Sequence, residues 1–313
     1  MKIVFFGTPD FAARCLEKLL SSDHNIAGVV TAPDRPKGRG RKLQPSEVKT
    51  LALNHNLNIL QPENLKDPDF IDNLESWNAD LFCVVAFRIL PAEVFEMPHK
   101  GCFNLHGSLL PKYRGAAPIN WAIINGETET GLTTFFIKKK VDTGDVIDYH
   151  KMKIGPDETF GELYYRMADA GGEFLLETIK KIETGEFDLK KQDENLVSKA
   201  PKIYPRMGEI DWSKSALEIH NLVRGLSPKP SAFSYLNNNK ISILKTKVAQ
   251  IDKTSDIYGT IIQADPKSGI IVACGSGAIE LIEIKAPSKK VVSGAEFVRG
   301  NRLHVGERFG GNE

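Results

Sequence analysis

The first thirty residues already restrict the fold. Ile3 to Phe6 is an unbroken apolar run, Gly7-Thr8-Pro9-Asp10 reads as a turn, and Phe11, Cys15 and Leu19 recur at helical spacing up to Leu20. Ile26 to Thr31 is apolar again. Two such strands joined by an amphipathic helix form a βαβ unit, whose right-handed crossover leads to a parallel sheet with helices on both faces. The expected fold class is α/β, with a doubly wound parallel-sheet N-terminal domain. The turn after the first strand holds one glycine and lacks Gly-x-Gly-x-x-Gly, so no NAD or FAD site is expected. Ile59-Leu60 and Asp80 to Ala86 read as further strands, with helices at Val48 to Asn54 and Asp69 to Leu74 between them.

A polar cluster, Phe103 to Pro118, lies between the Asp80–Ala86 run and a second strand-like run at Thr133 to Ile137. Open α/β sheets keep their chemistry beyond the strand ends, and this stretch is rich in reactive side chains. Asn104 offers an amide donor suited to a developing oxyanion. His106 is the side chain best placed near neutral pH to take or give a proton. Gly107 permits close backbone approach, and Pro111 and Pro118 fix the chain direction. An isolated Asn-x-His is more often part of a polar loop with one satisfied histidine. The density of special residues and a later carboxylate, Asp142, favour a site. Asp142 alone would read as a turn residue, and Asp145 competes with it locally.

Asn104-x-His106-x-Ser108-Leu109-Leu110-Pro111, followed by Asp142-Thr143-Gly144, resembles the 10-formyltetrahydrofolate-dependent formyltransferases. Arg114-Gly115-Ala116-Ala117-Pro118 and a basic stretch upstream narrow the resemblance to the methionyl-tRNA formyltransferase family, over essentially the whole chain. The resemblance implies Asn104, His106 and Asp142 as the catalytic set, with Asp142 orienting the imidazole. It implies 10-formyltetrahydrofolate as co-substrate and no metal. The folate is expected along Arg88, Ile89 and Leu90, through their backbone, and along Ser108, Leu109, Leu110 and Pro111. Many members read Tyr-Gly-x-Ile-Leu-Pro where this chain reads Phe87-Arg88-Ile89-Leu90-Pro91. The chain is one residue shorter here and closer to glycinamide ribonucleotide formyltransferase.

The basic stretch runs from Asp34 to Lys49, with six Lys/Arg against two acids. Its glycines and prolines predict an exposed loop without regular structure. It resembles the insertion with which methionyl-tRNA formyltransferases engage the acceptor end of tRNA, so Arg35, Lys37, Arg39, Arg41 and Lys42 are the expected tRNA contacts and methionyl-initiator tRNA the expected partner. Glu47 stands where the family often has proline, and Lys229 where tryptophan is common. Amino-sugar formyltransferases share the Asn-Leu-His-Gly-Ser-Leu-Leu-Pro core, so the basic stretch is what favours tRNA.

Phe160 to Ile182 reads as a long amphipathic helix in which Gly171-Gly172 allows a kink or close packing. The catalytic domain is expected over 1–187 and a proline-marked polar linker over 188–207. Within 208–313, Ile219, Leu222, Val223 and Leu226 form a helical face, and about five short β runs predict a small OB-like β-barrel domain that the resemblance makes tRNA-binding. Residues 201–313 hold 16 Lys/Arg against 11 Asp/Glu, a balance of +5, which leaves −4 on residues 1–200. That asymmetry is mild support for a polyanionic partner. Cys15, Cys83, Cys102 and Cys274 form no Cys-x-x-Cys pair, so neither zinc nor a disulfide framework is expected. No apolar run is long enough to span a membrane, and Met1 to Gly7 lacks the pattern of a secretory signal. A cytoplasmic monomer with no obligate protein partner is the expectation.

Overall fold

The computed structural model describes residues 1–37, 40, 42–251 and 257–310. In chain order the elements are β1 (Lys2–Gly7), α1 (Asp10–Leu20), β2 (Asn25–Val30), β3 (Arg35–Lys37), β4 (Lys42–Gln44), α2 (Glu47–Asn54), β5 (Ile59–Leu60), α3 (Pro68–Ser76), β6 (Leu81–Val85), α4 (Ala92–Phe95), β7 (Cys102–His106), β8 (Arg114–Gly115), α5 (Pro118–Ile124), β9 (Glu129–Phe136), β10 (Val146–Lys153) and α6 (Phe160–Thr184). They continue with β11 (Lys199–Ala200), α7 (Ala216–Leu226), β12 (Ala232–Leu236), β13 (Asn239–Ala249), β14 (Ile261–Asp265), β15 (Gly269–Ala273), β16 (Ala278–Lys285), β17 (Val292–Ser293) and α8 (Gly294–Asn301). Two compact units result. The first takes Met1–Gly115, Thr130–Met152 and Tyr164–Ala200, and the second takes Ala116–Glu129, Lys153–Leu163 and the described residues from Pro201 onward.

In the first unit a seven-stranded sheet runs in the order β10-β9-β7-β6-β1-β2-β5. The pairs among β7, β6, β1, β2 and β5 are parallel, and β9 turns antiparallel against β7. β1 and β6 are buried on both faces, the signature of a covered parallel sheet. Val4 and Phe6 pack with Phe70 and Leu74 of α3 and Val94 and Phe95 of α4. On the other face α1 buries Phe11, Cys15 and Leu19, the three residues that mark its apolar stripe. Fully burying a phenylalanine such as Phe5 or Phe82 stabilises by about 1.5–3 kcal/mol. The Gly171-Gly172 pair serves close packing of α6. A Cβ on Gly171 would sit 3.3 Å from both Cys15 Sγ and Leu105 Cδ2, and one on Gly172 would sit 2.8 Å from Lys18 Cβ.

The basic stretch differs from the expectation of an irregular loop. β3 and β4 pair as an antiparallel hairpin with Pro36 opposite Leu43, and Gly40 near its tip adopts φ +97°. Proline is tolerated because the hairpin has only two strands, so both are edges. The end of the stretch is helical, since Ser46 caps α2 by accepting from the Lys49 N–H at 3.0 Å. Residues 188–200, expected as part of a linker, run along the first unit. Lys190 bridges Val146, and β11 pairs in parallel with β8.

The second unit holds an antiparallel sheet in the order β12-β13-β16-β15-β14, with β17 added beside β16. Its core combines Ile219 and Val223 of α7, Phe297 and Val298 of α8, and Ile243, Ile261, Val272 and Ile279 of the strands. α7 begins with a capping box, Ser215 and Glu218 each bonding the other's backbone N–H. The outer strands β12 and β14 do not pair with each other among the described residues. The last described residues cross between them instead: Arg308 bridges Thr260, and the Gly310 N–H reaches Tyr235 O at 2.9 Å. α5, early in sequence, belongs here. Asn120 donates to Gly225 O at 2.8 Å, and Gly225 lets the helices approach, since a Cβ there would meet Ile124 Cγ1 at 2.6 Å.

Candidate active site

Three strand ends set the location. Gly7 of β1 aligns with Val85 of β6, and Val85 aligns with Leu105 of β7. The strand order reverses between β1 and β6, and the general ligand position in doubly wound sheets is beyond the carboxyl ends at such a point. Ala86 leaves β6 with φ +48°, a left-handed conformation that turns the backbone sharply after the strand.

Asn104 and His106 lie two residues apart on β7 and so share one face of the sheet. His106 is 6% exposed and stands opposite Thr133 of β9. Its Nε2 lies 3.0 Å from Tyr113 O. A carbonyl can only accept, so Nε2 carries a proton and Nδ1 is the nitrogen left to exchange one. The Asn104 amide makes no hydrogen bond among the described residues, although other polar groups of the neighbourhood are tightly engaged. Ser108 Oγ donates to Lys112 O at 2.6 Å, Thr133 Oγ1 donates to Ser108 O at 2.6 Å, and the Leu110 N–H donates to Thr133 Oγ1 at 3.0 Å. Tyr113, at φ +61°, donates its N–H to Ser198 Oγ at 2.9 Å.

Asp142 sits at φ +54° in the turn between β9 and β10. Its Oδ2 accepts the Gly115 N–H at 2.9 Å. Asp142, expected to orient the imidazole, makes no hydrogen bond to it among the described residues, and the ring is bonded to the Tyr113 carbonyl. Asp145, the local competitor, is paired with Lys138 at 2.7 Å. Gly144 is obligatory where it stands, because a Cβ would meet Phe136 O at 1.6 Å.

The residues expected to meet folate divide by what their side chains already do. The Arg88 guanidinium donates to Pro62 O at 2.7 Å and Glu63 O at 3.0 Å, and burial, with Arg35 nearby, lowers its pKa. Leu90 and Leu110 are buried, Leu90 in the core of the first unit and Leu110 against Phe135 and Val146. Ser108 is buried and spent on Lys112. Residues 88–90 can therefore offer backbone, as expected, whereas Ser108 O and the Leu110 N–H are already bonded to Thr133. Among the side chains Ile89 is the exception, 72% exposed a few residues past the end of β6, and it gives an apolar surface that a flat ring could cover. Leu109 and Pro111 are half-buried.

Arg35 and Lys42 are exposed on the β3–β4 hairpin, Lys37 pairs with Lys42 in the ladder, and Leu43 is 70% exposed. Arg39 and Arg41 lie outside the described residues. Lys49 is not a free cation. It pairs with Asp34 at 2.8 Å, and bonds from Gln61 and Lys49 hold that carboxylate below its ordinary pKa. A cavity of about 400 Å³ lined by Phe95, Cys102 and Phe136 lies at the opposite end of β7, since Cys102 begins the strand that His106 ends. Among the described residues no cluster of three His, Cys, Asp or Glu could hold a metal ion.

Sequence reasoning missed Gln192 and Ser198. Gln192 donates through Nε2 to Asp142 O and Gly144 O, both at 2.9 Å, and accepts from Arg114 Nη2 at 2.8 Å and Nε at 3.1 Å. Both residues lie in a polar stretch with no local pattern that marks them.

The geometry can be set against known proteins. Residues 1–179 match a family described as formyl transferase, and residues 202–302 match the formyl transferase C-terminal domain. A methionyl-tRNA formyltransferase of Clostridioides difficile is 47% identical over 98% of this chain and 99% of its own. One from Ruminiclostridium cellulolyticum is 42% identical over 99% of this chain and 100% of its own. Among solved structures, the sugar 3N-formyl transferase WlaRD superposes with a TM-score of 0.68 at 22% identity, covering 93% of this chain and 99% of its own, which establishes the shared fold. An amide donor and an oriented imidazole at the end of β7, two matched domains and full-length relatives converge: the chain belongs to the methionyl-tRNA formyltransferase family.

Proposed function

We propose that this chain transfers a formyl group from 10-formyltetrahydrofolate to the α-amine of methionine on initiator tRNA, as a cytoplasmic monomer. The observation that carries the reading is the unengaged Asn104 amide beside His106, on a chain whose full-length relatives are methionyl-tRNA formyltransferases. Folate supplies the formyl carbonyl, and N10 is the leaving nitrogen. The backbone of 88–90 and the exposed Ile89 side chain, with the 108–111 turn, would hold it at the ends of β6 and β7.

The reaction forms one C–N bond and breaks one. The neutral amine attacks the formyl carbon, negative charge develops on the formyl oxygen, and N10 departs. The Asn104 amide donates to that oxygen. His106 Nδ1 takes the proton that leaves the attacking nitrogen, and the imidazolium returns one to N10. The carbonyl of Tyr113 keeps the ring in the tautomer this needs. Asp142 is the third catalytic member, able to hold a water that relays the proton, while its Oδ2 accepts the Gly115 N–H.

For the acceptor, Arg35 and Lys42 of the β3–β4 hairpin, with Arg39 and Arg41 between them in sequence, supply cations for the RNA backbone, beside an exposed Leu43. In the second unit, Lys229, Lys240 and Lys285 line one groove of about 510 Å³, a surface suited to a polyanion. The reading assigns a catalytic domain over 1–187, a linker over 188–207 and a tRNA-binding domain over 208–313. The test is formyl transfer to methionine-charged initiator tRNA, with charged elongator tRNA, glycinamide ribonucleotide and a 4-amino sugar nucleotide in parallel. Formylation of the initiator alone is expected. Formylation of a small amine instead would refute the reading of the hairpin.

A further inference from the structure

We propose that Gln192 is a positioning residue for Asp142. The inference rests on the catalytic reading of Asp142 given above. Asp142 and Gly144 turn their carbonyls toward one amide nitrogen, Gln192 Nε2, whose two hydrogens are both used at 2.9 Å. The oxygen of the same amide accepts from Arg114 at 2.8 and 3.1 Å. Arg114 is also paired with Glu194 at 2.8 Å, and the next residue, Gly115, gives its N–H to the Asp142 carboxylate at 2.9 Å. The bonds close into a ring running from the Asp142 carboxylate through Gly115, Arg114 and Gln192 back to the Asp142 carbonyl.

Such a ring has a specific consequence. Asp142 is a non-glycine residue at φ +54°, a conformation that persists only where its surroundings over-determine it. Thr143, the residue bracketed by the two clamped carbonyls, bonds back to Lys140 O at 2.8 Å, so the turn also has a local tie. Among the described residues, Gln192 alone joins this turn to the Arg114-Gly115 strand through a side chain that both donates and accepts. Neutral amides are the only common side chains with two donors and an acceptor in this arrangement. A carboxylate at 192 keeps the Arg114 half and turns the other half into repulsion between oxygens.

The experiment is a kinetic cycle with Gln192→Glu, Asp142→Ala and the double variant, using folate and charged initiator tRNA. Gln192→Glu should lower kcat about 10- to 100-fold while both KM values stay within about twofold, the pattern of a misplaced catalytic group. In the Asp142→Ala background the same change should alter kcat less than about twofold. Normal turnover by Gln192→Glu beside a crippled Asp142→Ala would overturn the positioning role and leave the reading of Asp142 standing. Normal turnover by Asp142→Ala would overturn that reading and the proposal with it. A further additive loss in the double variant, or an effect on KM alone, would also overturn it. If Gln192→Glu does not fold, Gln192→Met keeps the length, removes both halves of the clamp, and is judged by the same criteria.

Discussion

Replacing Asn104 by alanine separates catalysis from folding. Its amide makes no hydrogen bond among the described residues, and the side chain is only half-buried on β7. Truncation therefore leaves no partner unsatisfied. What remains is a difference in strand preference, below about 1 kcal/mol, or at most about 4 °C in Tm for a domain of this size. The cost in the transition state is larger, because one oxyanion donor contributes about 3–4 kcal/mol, or 10²–10³ in rate. Steady-state formylation of charged initiator tRNA should show kcat down by that factor, with both KM values and the melting curve nearly unmoved. Asn104→Asp, nearly the same shape, should be slower still because it places a carboxylate against the developing charge. A variant that turns over within about threefold of the parent, or that loses KM alone, would remove Asn104 from the oxyanion site.

Other outcomes can be stated from the same geometry. Gly144→Ala forces a methyl group to 1.6 Å from Phe136 O, so the Asp142 turn must move, with about 1–3 kcal/mol of stability lost in urea denaturation and turnover falling alongside. His220 is buried in the second unit against Pro156 O and Thr246, with Asp157 and Arg224 nearby, and burial lowers its pKa below the ordinary 6.5. Its contribution to stability is therefore complete above about pH 6.5 and is lost as pH falls from there toward the folded-state value, because the unfolded chain takes up the proton first. Melting scans from pH 7.5 to 5 should show a decline that His220→Gln flattens. Arg41→Ala or Lys42→Ala should raise KM for tRNA and reduce the salt slope of tRNA use by about one each, with KM for folate unchanged. Normal salt dependence in both variants would refute the reading of the hairpin.

Much of the site was legible because its parts are local in sequence. β1 and β6 announce themselves as unbroken apolar runs, and Asn104 and His106 stand out as reactive side chains in one short polar cluster, although that their stretch is itself a strand, β7, came only from the structure. The basic stretch was legible in charge and not in form. Prolines and glycines read as breakers there also fit an isolated two-stranded hairpin, which only the pairing of Pro36 with Leu43 reveals. The place of α5 was not legible, since nothing in Pro118 to Ile124 betrays that Asn120 bonds Gly225, 105 residues away.

The residues along the chain carry the covered parallel sheet, the polar cluster that holds the amide and imidazole after the Asp80–Ala86 strand, and the family that such a motif implies. Burial patterns and strand periods are repeated over neighbouring residues, so they survive in one dimension. The tertiary structure alone decided which carbonyl orients His106, that Asp142 answers to Gly115, and that Gln192 joins them through Arg114. Those are single polar contacts between segments that are mostly 27 to 78 residues apart in the chain. A hydrogen bond needs only one donor and one acceptor brought within about 3 Å. Neither leaves a pattern among its own neighbours, so only the packed chain reveals the pairing.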